Sequence, residues 1–429
     1  MGKIKIVYVC HFSNQEIRSH LQLRSFWWGN LMRKVIHKPM LRYSDNAYWN
    51  VDFIKALGNI PEFECHVISH HLGLKKKQQR FIKEGINYNF LQEKENLPQK
   101  IWKILTRSKT KDNYIAPARK IKNVVNEIDP DIVIVCGAEN PIYSGSALLI
   151  NNKPVFVILQ TLLNDPMRIQ AGIGSEARRQ LEDSVFKHGG YYASFNLKEA
   201  YYIRDVNPQS HCLRLMFPSS PIDVPKSEKK DFDFVFYANG LSKHKGTEDA
   251  LLAFSFVCEK HPLARMYVIG ACDDKYKTHL QQLLHDKGIE SNVTFHGPFP
   301  TKQDVISGVL RAKVAVLPGI TAPLNSTVRE SMFLGMPTVV YNNSVIQLIN
   351  KDKDCLISAQ MEDVGDLGKK MLYAYEYPQE ISKIGLNAKD YAYKTFSHEA
   401  VGENLRKEII AIIEHYYHQK PIPKELLLI

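Results

Sequence analysis

Val314-Ala315-Val316-Leu317-Pro318-Gly319-Ile320-Thr321-Ala322-Pro323-Leu324-Asn325-Ser326-Thr327-Val328-Arg329-Glu330-Ser331-Met332-Phe333-Leu334-Gly335-Met336-Pro337-Thr338-Val339-Val340 spells a strand, a loop, a helix and a second strand in one run. The first apolar segment has strand length and no polar face, which suits a parallel strand covered on both sides. The loop opens a helix at Asn325-Ser326-Thr327, and Gly335-Met336-Pro337 stops it before Thr338. A helix entered from a parallel strand aims its unpaired amides and the positive end of its dipole at the ligand edge of the sheet. That geometry suits a diphosphate. A local alternative competes: Thr327-Val328-Arg329-Glu330 fits a capping box, in which Glu330 would satisfy its own helix start.

Outward from this unit the same rhythm recurs. Further strand-length apolar runs lie at Phe232 to Ala238, Arg265 to Gly270, Val293 to Gly297 and Cys355 to Ser358. An earlier series comprises Ile4 to Cys10, Cys65 to Ser69, Asp131 to Cys136, Val155 to Leu159, Tyr191 to Phe195 and Cys212 to Phe217. Helical stretches separate them, so the fold class is α/β, with two doubly wound Rossmann-like domains facing across a cleft. The Pro-, Ser- and Lys-rich stretch from Pro218 to Lys230 separates the two series as a linker. The expected organisation is one Rossmann-like domain at residues 1–220 and a second at 221–400. Residues 401–429 would form a C-terminal helix and tail that packs on its own domain or crosses back to the first. At 429 residues the chain exceeds what one core usually organises.

No run approaches the roughly 18 apolar residues of a membrane span. The N-terminal apolar run is short and lacks a small-residue cleavage site, so it has the character of a first strand rather than a signal peptide. Seven dispersed cysteines without CxxC spacing favour buried reduced thiols in the cytoplasm and no structural zinc. Three Asp-x-Asp triplets, at Asp129, Asp231 and Asp352, each precede a strand, opposite the ligand edge, so no metal site is expected. Neither GxxxxGK[ST] nor GxGxxG after a strand occurs, and no nucleic-acid-binding motif is present.

Of the net charge of +11, the stretch Lys75 to Lys122 alone supplies +10, from 14 Lys or Arg against 4 Asp or Glu. It is either a solvated helical face or a contact for an anionic surface, with Phe81, Ile82, Phe90, Trp102, Ile104 and Leu105 interleaved.

A second chemical segment is Tyr237-Ala238-Asn239-Gly240-Leu241-Ser242-Lys243-His244-Lys245-Gly246-Thr247-Glu248-Asp249-Ala250, another strand, basic loop and helix. A cation beside a helix tip neutralises a departing diphosphate. With Val268-Ile269-Gly270, Phe295-His296-Gly297, Leu317-Pro318, Ser326-Thr327, Glu330-Ser331-Met332 and Gly335-Met336-Pro337-Thr338-Val339-Val340, this chain resembles the family 4 retaining glycosyltransferases of GT-B fold. The likeness is strong over residues 232–415 and loose before them.

The resemblance implies a hexose-type transfer from a nucleotide-diphosphate donor, UDP-linked rather than GDP-linked, to a saccharide or lipid-linked saccharide acceptor in envelope glycan synthesis. The donor is substrate, and no separate cofactor is expected. The chain would be cytoplasmic and peripheral at the inner membrane face, with residues 75–122 on an anionic surface. By this likeness Lys245 holds the diphosphate, Glu330 takes the ribose hydroxyls, and Asn325, Ser326 and Thr327 present donors to the phosphates. Gly270 gives the nucleotide a close backbone approach. Lys243 stands in for the family's arginine, whose position is Gly240, and the family's first glutamate falls at Ala322. His11 is the catalytic candidate of the first domain, with Asn14, Glu16 and Gln160 as further sugar or acceptor contacts. The departures at Gly240 and Ala322 motivate a second reading, a catalytically silent GT-B partner subunit; a sugar-nucleotide epimerase is a third.

Overall fold

The computed structural model describes residues 2–35, 40, 43, 45–93, 114–220, 222, 229–321 and 324–429. Ala322, most of the linker, and Trp102, Ile104 and Leu105 of the basic stretch lie outside the described residues. The chain forms two compact units. One comprises Met1–Pro218 with Val401–Ile429, and the other is Ser219–Ala400.

In the first unit the strands are β1 (Ile4–Cys10), β2 (Phe63–His71), β3 (Gln78–Lys83), β4 (Ile86–Gln92), β5 (Ile132–Cys136), β6 (Val155–Ile158), β7 (Tyr191–Ser194) and β8 (His211–Arg214). Among the described residues they form one sheet in the order β3-β4-β2-β1-β5-β6-β7-β8, parallel except where β3 turns back on β4. Apolar residues on alternating positions of β1 enter different cores: Ile6, Tyr8 and Cys10 on one face, Val7 and Val9 on the other. Burial on both faces is why these strands lack a polar stripe.

The hairpin β3 and β4 replaces the helical reading over the first part of the basic stretch, while helix Ile115–Ile128 carries its last cations, Arg119, Lys120 and Lys122. Phe90 is fully buried in the sheet's core and so unavailable to an outside surface, and the half-buried Phe81 stacks on Tyr88 at 5.0 Å. Gln78–Lys83 is polar at all positions but Phe81 and Ile82, and its charges suit an edge strand. Helix His398–His418 follows a break at Ser397 and buries Val401, Leu405, Ile409 and Ile412 in the first unit's core.

The second unit contains β9 (Phe232–Gly240), β10 (Met266–Ala271), β11 (Val293–Gly297), β12 (Ala312–Val316), β13 (Thr338–Tyr341) and β14 (Ile357–Ala359). Its order is β11-β10-β9-β12-β13-β14, all parallel. Numbered within the unit this is 3-2-1-4-5-6, the doubly wound Rossmann arrangement. Strand order reverses between β9 and β12, so the loops leaving these neighbouring strands emerge side by side at the switch point. They are the two segments that carry the chemistry in the sequence.

Candidate active site

The loop after β9 turns through a short 3-10 segment, Lys243–Lys245, into helix Thr247–Lys260. Gly246 at that junction has φ 78°, in the left-handed region, and a Cβ there would fall 2.1 Å from the carbonyl oxygen of Pro318. Only glycine lets the lysine turn lie this closely on the loop after β12. The amide of Ile320 donates to the His244 oxygen at 3.1 Å, joining the loops a second time. The space a Cβ would need at Gly319 is taken by the Asn325 amide nitrogen, so the β12 loop folds back onto the start of its own helix.

That helix, Ser326–Phe333, has Asn325 at its N-cap without a side-chain capping bond. Among the described residues the amides of Ser326 and Thr327 have no acceptor, whereas those of Val328 and Arg329 return to the Asn325 oxygen. The capping-box reading is overturned. With the cap at Asn325, Glu330 lies beyond the first turn, out of reach of the free amides, and its carboxylate meets Lys302 Nζ at 3.2 Å. Tyr237, buried on β9, fixes the helix by donating to the Thr327 oxygen at 2.7 Å and lying 2.9 Å from Ser331 Oγ.

Lys245, Asn325, Ser326 and Thr327 therefore belong to one edge of the second sheet. Lys245 and Lys243 are exposed and have no side-chain partner among the described residues. Desolvation by its surroundings lowers the Lys245 pKa below the ordinary lysine value. A cation that is partly desolvated but unpaired gains strongly from an incoming anion. Gly240 pairs with Ala271, and a Cβ there would meet only the Ala271 oxygen, at 3.9 Å. Gly270 has φ 155°, and a Cβ on it would strike the Ala238 oxygen at 2.5 Å. The close approach this glycine permits in the structure is that of its own chain. Lys302, which holds Glu330, was not singled out in sequence; its only signal was its position at the head of the helix after β11.

In the first unit His11 follows β1 at the equivalent edge. Burial lowers its pKa, and Nε2 stands 3.9 Å from the Glu93 carboxylate, whose own pKa burial raises. His70 and His71, at the end of β2, are buried and depressed to about 3 and about 4 by desolvation, so both are neutral near pH 7. Asn14 is occupied as a helix N-cap, accepting from Ile17 N at 2.7 Å. Glu16 pairs with Lys83 at 2.6 Å, and Gln160 donates to the Cys136 thiol at 2.8 Å. After β5, Glu139 is buried and accepts from Arg178 at 3.0 Å, a pair the sequence did not reveal because its partners lie 39 residues apart. Of the Asp-x-Asp residues, Asp231 pairs with Arg311, Asp233, inside β9, with Lys313, and Asp129 with Lys153.

Residues 220–391 match the family model described as Glycosyl transferases group 1. The match falls within the second unit. Among solved structures, sucrose-phosphate synthase from Thermosynechococcus elongatus aligns with a TM-score of 0.67 at 13% identity, covering 95% of this chain and 100% of that one. The Anabaena protein Alr3699/HepE, in complex with UDP and glucose, gives 0.64 at 11% identity over 95% and 100%. A glycosyltransferase from Rickettsia africae ESF-5 gives 0.64 at 13% over 96% and 100%. These likenesses define the fold as GT-B, with two Rossmann-like domains. No curated protein sequence matches the chain.

Proposed function

We propose that this protein is a retaining glycosyltransferase of the family 4 kind. It moves a hexose-type sugar from a nucleoside-diphosphate donor, UDP-linked rather than GDP-linked, to a saccharide or lipid-linked saccharide acceptor in envelope glycan synthesis, working peripherally at the cytoplasmic membrane face. One observation carries the reading: an unpaired lysine turn and a helix tip with free amides share the switch-point edge of a group 1 domain, tied together by the His244 to Ile320 hydrogen bond.

The leaving pyrophosphate is the charge that such a site must stabilise. Lys245 supplies a cation, the amides of Ser326 and Thr327 supply fixed dipoles, and neither must reorganise as the glycosidic bond to phosphate breaks. Glu330, steadied by Lys302, accepts from the ribose hydroxyls. Departing phosphate oxygen takes the acceptor proton in this scheme, so no carboxylate base is required. His11, neutral near pH 7, contacts the transferred sugar or the acceptor through a ring nitrogen. Support for a uridine donor comes from the solved neighbour in complex with UDP and glucose.

Isothermal titration with UDP and GDP, followed by mass-spectrometric screening of a sugar-nucleotide panel, tests the proposal. UDP binding with turnover of one UDP-hexose is the expected result. A chain that binds neither nucleotide is the silent subunit instead, and interconversion of the free sugar nucleotide without transfer or hydrolysis identifies an epimerase.

A further inference from the structure

Helix Trp27–Val35 is unlike the other helices of the first unit in what it leaves uncovered. Trp27, Leu31, Met32 and Val35 are 43–70% exposed, and at the angular step of an α-helix they fall within an arc of roughly 140°. Met40 beyond the helix and Leu72 beside its base are also exposed. The helix is anchored from below. Arg24 N donates to the Gly73 oxygen at 2.8 Å, Leu23 bridges Leu74, and Phe26 packs on Tyr43, which in turn packs on His71 at the end of β2.

Its surroundings are positive. Lys75 N donates to the Gln22 oxygen at 2.9 Å, which puts the exposed run Lys75-Lys76-Lys77 directly beside the approach to the helix. By sequence, residues 17–44 contain Arg18, Arg24, Arg33, Lys34, Lys38 and Arg42 and no acid. Arg18 is paired with Asp45, but a protein groove that buried the apolar arc would still gain nothing from the exposed Lys75, Lys76 and Lys77 beside it. An anionic bilayer answers both features: acyl chains take the apolar arc, lipid phosphates take the lysines, and tryptophan prefers the interface.

We propose that helix Trp27–Val35 and the lysine run 75–77 together form a docking surface for an anionic lipid bilayer. This relocates the membrane contact from the interleaved aromatics of residues 75–122, whose Phe90 is core, to a helix whose Leu31, Met32 and Val35 are exposed. It deepens the reading of a membrane-borne acceptor and rests on it for its purpose. Its test measures vesicle binding rather than transfer, so either can fail alone.

The full chain is sedimented with vesicles of phosphatidylglycerol mixed into phosphatidylcholine, and with phosphatidylcholine alone. Binding should require the anionic lipid and weaken as salt rises. Leu31→Glu/Met32→Glu and, separately, Lys75→Gln/Lys76→Gln/Lys77→Gln should each lower the partition constant by about tenfold or more, with melting temperature and nucleotide binding unchanged. Independently of any variant, brominated acyl chains should quench tryptophan fluorescence of the wild-type chain. Equal binding to neutral vesicles, unchanged partition of either variant, or absence of quenching overturns the proposal. So does a concentration-dependent dimer that Leu31→Glu/Met32→Glu dissociates, since the arc would then be covered by a second copy.

Discussion

The main-chain oxygen of His244 accepts a hydrogen bond from the amide of Ile320 at 3.1 Å, so the loops after β9 and β12 are held as one surface. Lys245 follows immediately on one side, and Asn325, packed on Gly319, opens the helix on the other. The contact is made by backbone, which keeps the lysine side chain available for a ligand.

Gly246→Ala attacks that surface without touching a charge. The left-handed φ of 78° strains any other residue, and the new Cβ would collide with the Pro318 oxygen. A loss of about 2 kcal/mol or more is expected in urea unfolding, together with weaker UDP binding in titration calorimetry, because the two loops must separate.

Lys245→Ala removes the cation and leaves the turn. Steady-state turnover should fall by at least about tenfold, the size of a charge-assisted contact of roughly 1.5–3 kcal/mol, with unfolding stability unchanged. Near-normal turnover would take Lys245 out of the site.

Glu330 and Lys302 separate ligand binding from ion pairing. If Glu330 accepts from a ribose diol, Glu330→Gln should weaken UDP binding by about tenfold, whereas Lys302→Met, which removes only an exposed partner, should change it by less than about threefold. Equal effects of the two variants would mean that the carboxylate serves only the ion pair.

Gly240→Arg restores the cation of the resembling family. The position has ordinary backbone geometry, and its Cβ direction meets only the Ala271 oxygen, so the side chain can be added without displacing the strand. Tighter UDP binding, by about tenfold, is expected in calorimetry.

Glu199 predicts a pH dependence of stability. Burial pushes its carboxyl up to about 7, while Ser194 hydrogen-bonds it. Since the folded state holds this proton more tightly than the unfolded one, the contribution is complete below the ordinary carboxylate range. It is then lost as pH rises from about 4.5 to about 7. Glu199→Gln should flatten that part of the stability profile by on the order of 3 kcal/mol, measured by urea unfolding across the window.

The parallel strands were legible because burial on both faces writes itself locally as unbroken apolar runs; β1 and β11 begin and end where the sequence places them. The hairpin β3 and β4 was not legible. The edge strand Gln78–Lys83 has only two apolar residues, adjacent at Phe81 and Ile82, so it shows neither the unbroken apolar run of a buried strand nor a period of two. At the site, the chemistry-bearing residues were visible, but their partners were not. Thr327-Val328-Arg329-Glu330 has capping-box spacing, yet what decides the fate of Glu330 is Lys302, which reaches it from another helix. The His11, His70, His71 and Glu93 group assembles only when β1, β2 and β4 come into register, so no local pattern announces it.

The return of the chain to the first unit makes the second one an insertion. On the first unit's side, Asn404 Nδ2 donates to the Arg214 oxygen at 2.9 Å; on the second unit's side, Ser219 N donates to the Phe396 oxygen at 2.8 Å. Outgoing and incoming strands of the polypeptide are therefore neighbours at both ends of the crossing. The second unit is a cassette with adjacent termini, and cutting the gene in two at residue 218 would strip the first core of Leu405, Ile409 and Ile412. Excising residues 219–400 and splicing Pro218 to Val401 is the division that respects how the molecule is built.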